Sequence, residues 1–496
     1  MSYGLKLGLE VHAQLLAGHK LFSRTVPKFH AVPNSQVSFF DAALPGTQPQ
    51  LSPACLRLAL RAGLALNSAI PNRFSFDRKH YMYPDQPAGY QITQFREPVA
   101  KNGYLDLFPR DLPQHVQKKG KQASLKAEVD AVKRIRISQI QMEQDTGKTS
   151  YIDSLSLVDL NRANTGLIEL VTMPDFRSEM EAVAFIRKLQ LTLRKLGVCS
   201  GEMETGAMRV DVNVSVMDNE TGADLGDRCE IKNLFSTSAV KHAIRAEFRR
   251  QVEAIRSGKL IEKETRGWDG KRTWKLRDKE SALDYRYMPD PDIPAYFLPD
   301  RVVAGVRRGL PELPDRVLDK LLGTGASLVD AKTLLDLDGG AEYALALCEQ
   351  LEPRLGPLGL KMVSTWLVHR WLGQHADRFP DPTQFGDLLV AVHENRISST
   401  TAKLIIKHMA QGYAGSIDAI INEFGLESPP ASDSESSELL ETCEEVVRAH
   451  PDVVAKIQAG KKQSLGFLLG QVMKETQGTF DPKQIRETLA GLVARK

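Results

Sequence analysis

Short apolar runs and polar loops alternate through residues 1–300, where the loops are rich in proline, glycine and aromatic side chains. Apolar and polar positions alternate along residues 5–15. They alternate almost perfectly along residues 209–216 (RVDVNVSV). Successive side chains of a strand point to opposite faces, so this pattern predicts strands with one buried and one polar face.

Two segments of the same region have helical spacing instead. Residues 178–197 and 237–258 place apolar side chains on one face of a helix, and each segment ends in glycine. Ser178 and Glu181 have the spacing of a capping box at the start of the first helix. Strands and helices together predict an α+β body for the amino-terminal part of the chain.

The pattern changes near residue 300, beyond which helical spacing continues without strong strand signals. Residues 428–438 (SPPASDSESSE) are polar and acidic and contain proline, so they are predicted to form an exposed loop. The fold class is therefore predicted as α+β with three parts: a large mixed α/β domain over residues 1–300, an all-helical domain over 301–400 and a small helical domain over 401–496.

Composition agrees with several globular domains and limits the function classes. The chain has 496 residues, of which 42% are hydrophobic and 26% charged, and its net charge is only +3. Binding of nucleic acid through bulk charge is therefore excluded, although a local basic face is not. Five cysteines without a CxxC motif argue against a disulfide framework and for a reducing compartment. No apolar run approaches the ~20 residues that cross a bilayer, and no amphipathic leader is recognisable.

The motif GLEVH is the first candidate for chemistry. Glu10 and His12 are two residues apart on a predicted strand, so a carboxylate and an imidazole project from the same face. Together they could hold a divalent cation or act as an acid/base pair. The exposed polar face of a half-buried strand explains the same pattern more simply, so this motif alone does not establish a site.

A second motif, IQMEQDTGKTS, resembles a phosphate-binding loop only in part. A P-loop requires a glycine five residues before Gly147, and Met142 occupies that position. What remains is two carboxylates, Glu143 and Asp145, near Lys148. Such a set suits a metal–phosphate site and equally suits a solvated hairpin, and spacing alone cannot separate the two.

Two further segments are rich in groups that bind ligands. Residues 77–94 (DRKHYMYPDQPAGYQITQ) contain many hydrogen-bonding aromatic side chains, which favours a binding loop. Residues 264–294 carry arginines that could gather phosphates, although a surface salt-bridge network is the simpler explanation for each one. The chain has neither an amidase signature nor a catalytic cysteine setting, so release of ammonia from glutamine is not expected.

Taken together, these motifs resemble the B subunits of tRNA-dependent amidotransferases, the GatB/GatE family. The resemblance extends from GLEVH to GKKQSLGFLLGQVMK at residues 460–474, and it includes SLVDLNRANTGLIELVTMPDFRS, RCEIKNL and DYRYMPDPDIP. It implies that the three predicted domains are a cradle domain with the ATP, Mg²⁺ and acyl-tRNA 3′-end site, a helical domain, and a YqeY-like tail that binds tRNA.

The resemblance also implies an ATP-dependent carbon–nitrogen ligase. In such proteins ATP activates the glutamate of misacylated Glu-tRNA(Gln) as an acyl phosphate, and ammonia then converts it to Gln-tRNA(Gln). A separate amidase (A) subunit supplies the ammonia, and a small third subunit completes a heterotrimer. One alternative is a catalytically silent tRNA-binding or assembly subunit of the same complex. Another is a free-standing ligase for a small carboxylate.

The family's motifs assign metal-binding and catalytic roles to four residues of this chain: Glu10, His12, Glu143 and Glu169. Three more are candidates for contacting ATP phosphates or the charged 3′ end: Lys79, Arg209 and Asp211. Phosphoryl transfer to a carboxylate needs Mg²⁺ and fixed cations. Mg²⁺ prefers oxygen ligands and keeps several waters, so a few carboxylates suffice to hold it.

The second motif departs from the bacterial pattern. Bacterial members read HMEEDAGK where this chain reads QMEQDTGK, so Gln141 and Gln144 replace a histidine and a glutamate. If that glutamate binds metal, Gln144 weakens the hold on the ion, and the changes at Gln141 and Gln144 give some weight to the silent alternative. The QMEQD form resembles mitochondrial members. Together with the cysteine usage it predicts a protein of the mitochondrial matrix, with the cytoplasm as the alternative.

Two basic segments are candidates for contact with RNA. An insertion near residues 112–132 contains four lysines, for which a solvated loop is the favoured explanation. The tail is locally basic at four positions: Lys456, Lys461, Lys462 and Lys474. Contacts of such side chains with phosphates give affinity but little sequence choice.

Overall fold

A computed structural model describes most of the chain: residues 2–28, 31–112, 132–277, 285–373, 378–412, 415–424, 434–458, 464–476 and 482–495. The chain divides into two compact units, Met1–Pro314 and Asp315–Lys496. The first unit combines a large mixed sheet with helices and the second is helical, which confirms the α+β prediction. The predicted three-domain boundaries near residues 300 and 400 stay a prediction.

The strands that the described residues form all lie in the first unit. Their bounds are β1 Tyr3–Gln14, β2 Arg73–Phe74, β3 Asp77–His80, β4 Tyr90–Thr93, β5 Ala100–Leu107, β6 Lys133–Gln144, β7 Lys148–Ile152, β8 Leu155–Asp159, β9 Gly166–Thr172, β10 Met208–Asp218, β11 Cys229–Leu234, β12 Thr265–Trp268, β13 Thr273–Arg277, β14 Met288–Pro289 and β15 Tyr296–Phe297. Eight of them form one sheet in the order β13-β12-β11-β10-β1-β9-β6-β5. Its pairs are antiparallel except β11–β12. The remaining strands pair as β14-β3-β4, β15-β2 and β7-β8.

Among the described residues, the first unit also contains the α-helices α1 Pro53–Ala65, α2 Glu179–Lys195, α3 Thr237–Arg256 and α4 Asp300–Arg308. Helices α2 and α3 confirm the two predicted from apolar spacing. Only half of the predicted capping box forms. Ser178 accepts a hydrogen bond from the Glu181 backbone N–H, 3.2 Å away. The Glu181 carboxylate instead accepts from the Arg177 backbone and from Lys133, because an ion pair with β6 is within its reach.

One face of the large sheet is apolar and buried. Along β1 the alternation predicted from sequence places Leu7, Leu9 and Val11 on this face, each at most 1% exposed. Helix α3 packs on β10 and contributes Val240 and Ile244 to the same core. Because the side chains of a strand alternate, the polar residues of β1 project from the opposite face. The hairpin of β3 and β4 contacts β6.

The second unit contains helices in its described residues. Their bounds are α5 Pro314–Gly323, α6 Leu328–Asp336, α7 Gly340–Gly359, α8 Lys361–Trp366, α9 Pro382–His393, α10 Ser399–Ala410, α11 Ile417–Phe424, α12 Ser434–Ala449, α13 Pro451–Gln458, α14 Leu465–Glu475 and α15 Pro482–Arg495. A π-helical turn, Leu367–Leu372, follows α8. Within the part of the chain described above, every helix is too short or too polar to cross a bilayer.

Two hydrophobic clusters hold these helices. One extends from Val317 to Ile421 and the other from Leu439 to Val493. The predicted loop over residues 428–438 is wrong in its second half, since α12 begins at Ser434. Acidic side chains are favourable near the amino terminus of a helix, so an acidic serine-rich string is compatible with a helix start. Residues 428–433 lie outside the described residues.

Candidate active site

The register of the central strands brings the predicted site residues onto one face of the sheet. His12 on β1 lies opposite Glu169 on β9 and opposite Arg209 on β10. Glu10 lies opposite Asp211 on β10. On β6, Gln141 lies opposite Glu169, and Glu143 follows two positions later on the same face. Residues far apart in sequence therefore become neighbours.

His12, Glu143 and Glu169 form a first set of donors, called the His12 group below. One ligand atom from each lies within 4.8 Å of the other two. His12 Nε2 is 3.7 Å from Glu169 Oε2. Glu143 is 3% exposed, and its Oε1 accepts a hydrogen bond from Gln91 Nε2 at 2.7 Å. Its Oε2 is buried and has no hydrogen-bond partner among the described residues. A buried carboxylate oxygen without a donor is suited to a cation.

A second set of donors, the Glu10 group, lies on the neighbouring strands. Carboxylate oxygens of Glu10, Asp211 and Glu230 lie within 4.8 Å of one another. Lys232 Nζ is 2.8 Å from Glu230 Oε1 and 3.3 Å from Asp211 Oδ2. Asn213 Nδ2 donates to Glu10 Oε1 at 3.0 Å. Glu10 and His12 therefore belong to two groups rather than to the single set that the sequence indicated.

Glu230 and Lys232 are site residues that the sequence reasoning did not assign. Both belong to the string RCEIKNL, which carries part of the family resemblance. Glu230 on β11 lies opposite Asn213 on β10, and β10 separates β11 from the strand β1 that carries Glu10. The signal was present as a motif, but its place in the site depends on the pairing of β11 with β10.

Burial and nearby charges set the protonation of the His12 group. Burial raises the pKa values of Glu143 and Glu169. It lowers the pKa of His12, which favours the neutral imidazole that binds metals. Burial also opposes the charge of Lys79, but Glu143 and Glu169 outweigh it, so the pKa of this ammonium group is raised. The ammonium group of Lys79 thus stays charged beside Glu143 and Glu169, whose own ionisation is opposed by burial.

Arg209 lies beside His12 and is held there by an ion pair with the buried Asp145. Its Nη2 donates to Asp145 Oδ1 at 2.9 Å, and Gln14 Nε2 donates to Asp145 Oδ2 at 2.8 Å. Burial opposes ionisation of Asp145, but Arg209 and Arg162 hold its pKa below the ordinary value. Lys148 instead is exposed on β7 and lies opposite Asp159 of the β7–β8 hairpin. The second motif therefore contributes Glu143 and Asp145 to the site, whereas its Lys148 lies on a solvated hairpin.

Gln144 does not face either donor group. It is adjacent to Glu143 on β6 and so points to the opposite face, where its Oε1 accepts a hydrogen bond from the Ile92 backbone N–H at 2.8 Å. The expectation that Gln144 weakens the hold on an ion is therefore not supported. Gln141 does reach the site, since its Nε2 donates to Glu169 Oε2 at 2.7 Å.

Gln144→Glu is expected to leave the Mg²⁺ concentration for half-maximal activity of the assembled complex unchanged. The new carboxylate would lie on the face of β6 away from both donor groups. Loss of a group that supports metal ligands typically shifts metal affinity by about 10- to 100-fold. A shift of that size toward tighter binding in a Mg²⁺ titration would show that position 144 is a ligand after all.

The basic positions predicted in the insertion, the tail and the segment 264–294 are not part of the two donor groups described above. Residues 113–131 of the predicted insertion lie outside the described residues, as do Lys461 and Lys462. In the segment 264–294, Arg266 is 7% exposed and is paired with Glu247 and Glu264. Arg266 is therefore part of a salt-bridge network, but this network is buried and not on the surface as predicted.

Comparison with known proteins identifies the family of the chain. A family model described as "GatB/GatE catalytic domain" matches residues 5–304, and one described as "GatB domain" matches residues 361–492. A relative from Yarrowia lipolytica, named as the B subunit of the mitochondrial glutamyl-tRNA(Gln) amidotransferase, is 42% identical over 98% of this chain and 93% of its own length. Relatives of the same name from Candida tropicalis and Scheffersomyces stipitis are each 40% identical, covering 99% and 98% of this chain and 97% and 94% of their own lengths. Their names confirm the predicted mitochondrial location, and these matches show that the chain belongs to the GatB/GatE family.

Proposed function

We propose that the chain is the B subunit of a glutamine-hydrolysing amidotransferase that converts Glu-tRNA(Gln) into Gln-tRNA(Gln). In this role it transfers the γ-phosphoryl group of ATP to the side-chain carboxylate of the misacylated glutamate. The observation that supports it most is the proximity of two groups of metal-ligand donors on one face of the large sheet, with Lys79 of β3 beside the His12 group. The names of the full-length relatives agree with it.

The donor atoms suit Mg²⁺. The His12 group and the Glu10 group offer five carboxylates and one imidazole, and hard oxygen ligands are those that Mg²⁺ prefers. The unpartnered Glu143 Oε2 is one such ligand. We infer that each group would hold one ion. Bound there, Mg²⁺ would supply the positive charge that phosphoryl transfer requires.

Lys79 and Arg209 have complementary tasks in this proposal. Lys79 stays protonated between the carboxylates, so it can neutralise charge that develops on the transferred phosphoryl oxygens. Arg209 is held by Asp145 and lies opposite His12. A preorganised guanidinium is suited to an anionic group such as a phosphate of the acyl-tRNA 3′ end.

Ammonia would come from a partner. All five cysteines are buried and free, and burial raises the pKa of each thiol, so none has the setting of a glutaminase nucleophile. We therefore propose an amidase (A) subunit and a small third subunit as partners in a heterotrimer. The catalytically silent alternative loses one of its two arguments, because Gln144 lies away from the donor groups, whereas Gln141 does contact Glu169.

The test uses the assembled complex with ammonium chloride in place of glutamine, so that only the chemistry proposed for this chain is measured. We expect ADP release that requires both Mg²⁺ and Glu-tRNA(Gln), together with formation of Gln-tRNA(Gln). Uncharged tRNA(Gln) and RNase-treated substrate are the controls. ADP release that survives RNase treatment would favour a free-standing ligase, and the absence of ADP release would favour the silent alternative.

Removing residues 425–496 is expected to weaken tRNA binding by about 10-fold or more at physiological salt and to reduce the salt dependence, since phosphate contacts carry such affinity. The deleted part contains the separate hydrophobic cluster from Leu439 to Val493. A cut at residue 400 would instead remove Ile405 and Ile421 from the preceding cluster. Filter binding at several salt concentrations measures the effect. Unchanged affinity in the truncated protein would contradict the predicted role of the tail.

A further inference from the structure

An exposed aromatic side chain lies at one edge of the site and makes a regular stack. The rings of Phe95 and Tyr287 have centroids 4.2 Å apart and planes inclined by 10°. Phe95 follows β4, and 52% of its side chain is exposed. A large apolar side chain that stacks on one neighbour and is otherwise half in water contributes little to a core. Its exposed surface is available to a second flat ring.

The backbone that carries Phe95 is held firmly. Asp77 is 1% exposed, and its Oδ2 accepts hydrogen bonds from the backbone N–H groups of Phe95 at 2.9 Å and Arg96 at 3.0 Å. The Arg96 side chain in turn donates to the Tyr287 carbonyl at 3.0 Å. A buried carboxylate therefore fixes both halves of the stack. Such preorganisation reduces the entropy lost when a ligand binds.

Aromatic rings connect this stack with the donor groups. The Tyr287 ring lies 6.0 Å from the ring of Tyr285, and Lys79 Nζ lies 5.1 Å from the Tyr285 centroid. Lys79 interacts with Glu143 and Glu169 of the His12 group. The exposed stack and the cation that would meet phosphates are thus two ends of one continuous surface.

We propose that the exposed face of Phe95, backed by Tyr287, is a stacking platform for an adenine base. This inference rests on the proposed function, which brings two adenines to the site: that of ATP and that of the 3′-terminal adenosine of the tRNA. Bases stack favourably on aromatic side chains. The platform would position the base while Lys79 and the donor groups meet the phosphates or the charged end.

The experiment compares Phe95→Leu, which keeps an apolar side chain without a ring, with Phe95→Tyr, which keeps the ring. Phe39→Leu is the matched control, since Phe39 is 74% exposed elsewhere in the same unit. Affinities of the assembled complex are measured for a non-hydrolysable ATP analogue with Mg²⁺, and for uncharged tRNA(Gln) with and without its terminal adenosine. We expect Phe95→Leu to lower the affinity for one of these ligands by about 5- to 150-fold, the usual effect of losing one stacked base. Phe95→Tyr and Phe39→Leu should bind as the wild type does.

A loss of affinity for the ATP analogue alone assigns the platform to ATP. Loss for intact tRNA, but not for tRNA lacking its terminal adenosine, assigns it to the 3′ end. Wild-type affinity of Phe95→Leu for both ligands would overturn the platform and leave the proposed function intact, as would an equal loss in Phe95→Leu and Phe95→Tyr. A wild-type complex that bound neither ligand would overturn the proposed function and the platform with it.

Discussion

Glu143→Gln is expected to slow Glu-tRNA(Gln)-dependent ATP hydrolysis by about 10²- to 10³-fold, the usual effect of removing one preorganised electrostatic group. The amide keeps the shape of the side chain and can still contact Gln91, but it removes the negative charge of a carboxylate whose Oε2 accepts no hydrogen bond from the described residues. Lys79 would also lose one of its two main counter-charges. Steady-state ADP release from the assembled complex measures the effect.

The same substitution is expected to leave the melting temperature of the metal-free protein unchanged or to raise it. Burial raises the pKa of Glu143 in the folded state, so at neutral pH its ionised form is less favourable folded than unfolded. A neutral amide removes that cost. Glutaminase activity of the partner amidase serves as the control and should be unaffected. Normal ADP release by Glu143→Gln would show that this carboxylate is not part of the reaction site.

Glu247→Gln is expected to have the opposite effect and to destabilise the protein by roughly 3 kcal/mol, as breaking a buried ion pair does. Glu247 is fully buried on α3 and lies 2.6 Å from Arg250 and 3.2 Å from Arg266. It also accepts a hydrogen bond from Thr273 at 2.7 Å. The amide would leave Arg266 without the charge of one of its two carboxylate partners. Urea denaturation of the purified chain at pH 7 measures the loss.

The pH dependence of this second effect has a definite sign. Burial opposes ionisation of Glu247, but hydrogen bonds and charge from Arg250 lower its pKa below the ordinary value. The stabilisation is therefore complete above the unfolded pKa and is lost as the pH falls through the folded one. The stabilities of wild type and Glu247→Gln should converge in acid. A constant difference between them down to low pH would contradict the assignment of the effect to charge.

Strand alternation made the polar face of β1 predictable from the sequence. Glu10 and His12 are two positions apart, and they do project from one face. Their division between two donor groups was not predictable, because it depends on which residue of β9 or β10 lies opposite each of them. Register across strands that are distant in sequence is set by the whole sheet, not by local spacing.

The direction of the Gln144 side chain was not predictable for a related reason. The sequence favours a turn at this segment, and in a turn neighbouring side chains can converge on one ligand. The strand β6 continues to Gln144, so alternation still applies and the side chain of Gln144 points away from that of Glu143. Family motifs indicated which residues matter, and the length of β6 decided which of them share a face.

The central place of β1 has a consequence for biosynthesis. Strand β1 is synthesised well before its two neighbours in the sheet, β9 and β10. Until then the nascent chain carries an unpaired strand with an apolar face, a species that aggregates readily. Pairings this distant also fold slowly. The arrangement that assembles the site from distant segments thus also leaves an apolar strand face exposed while the chain is being synthesised.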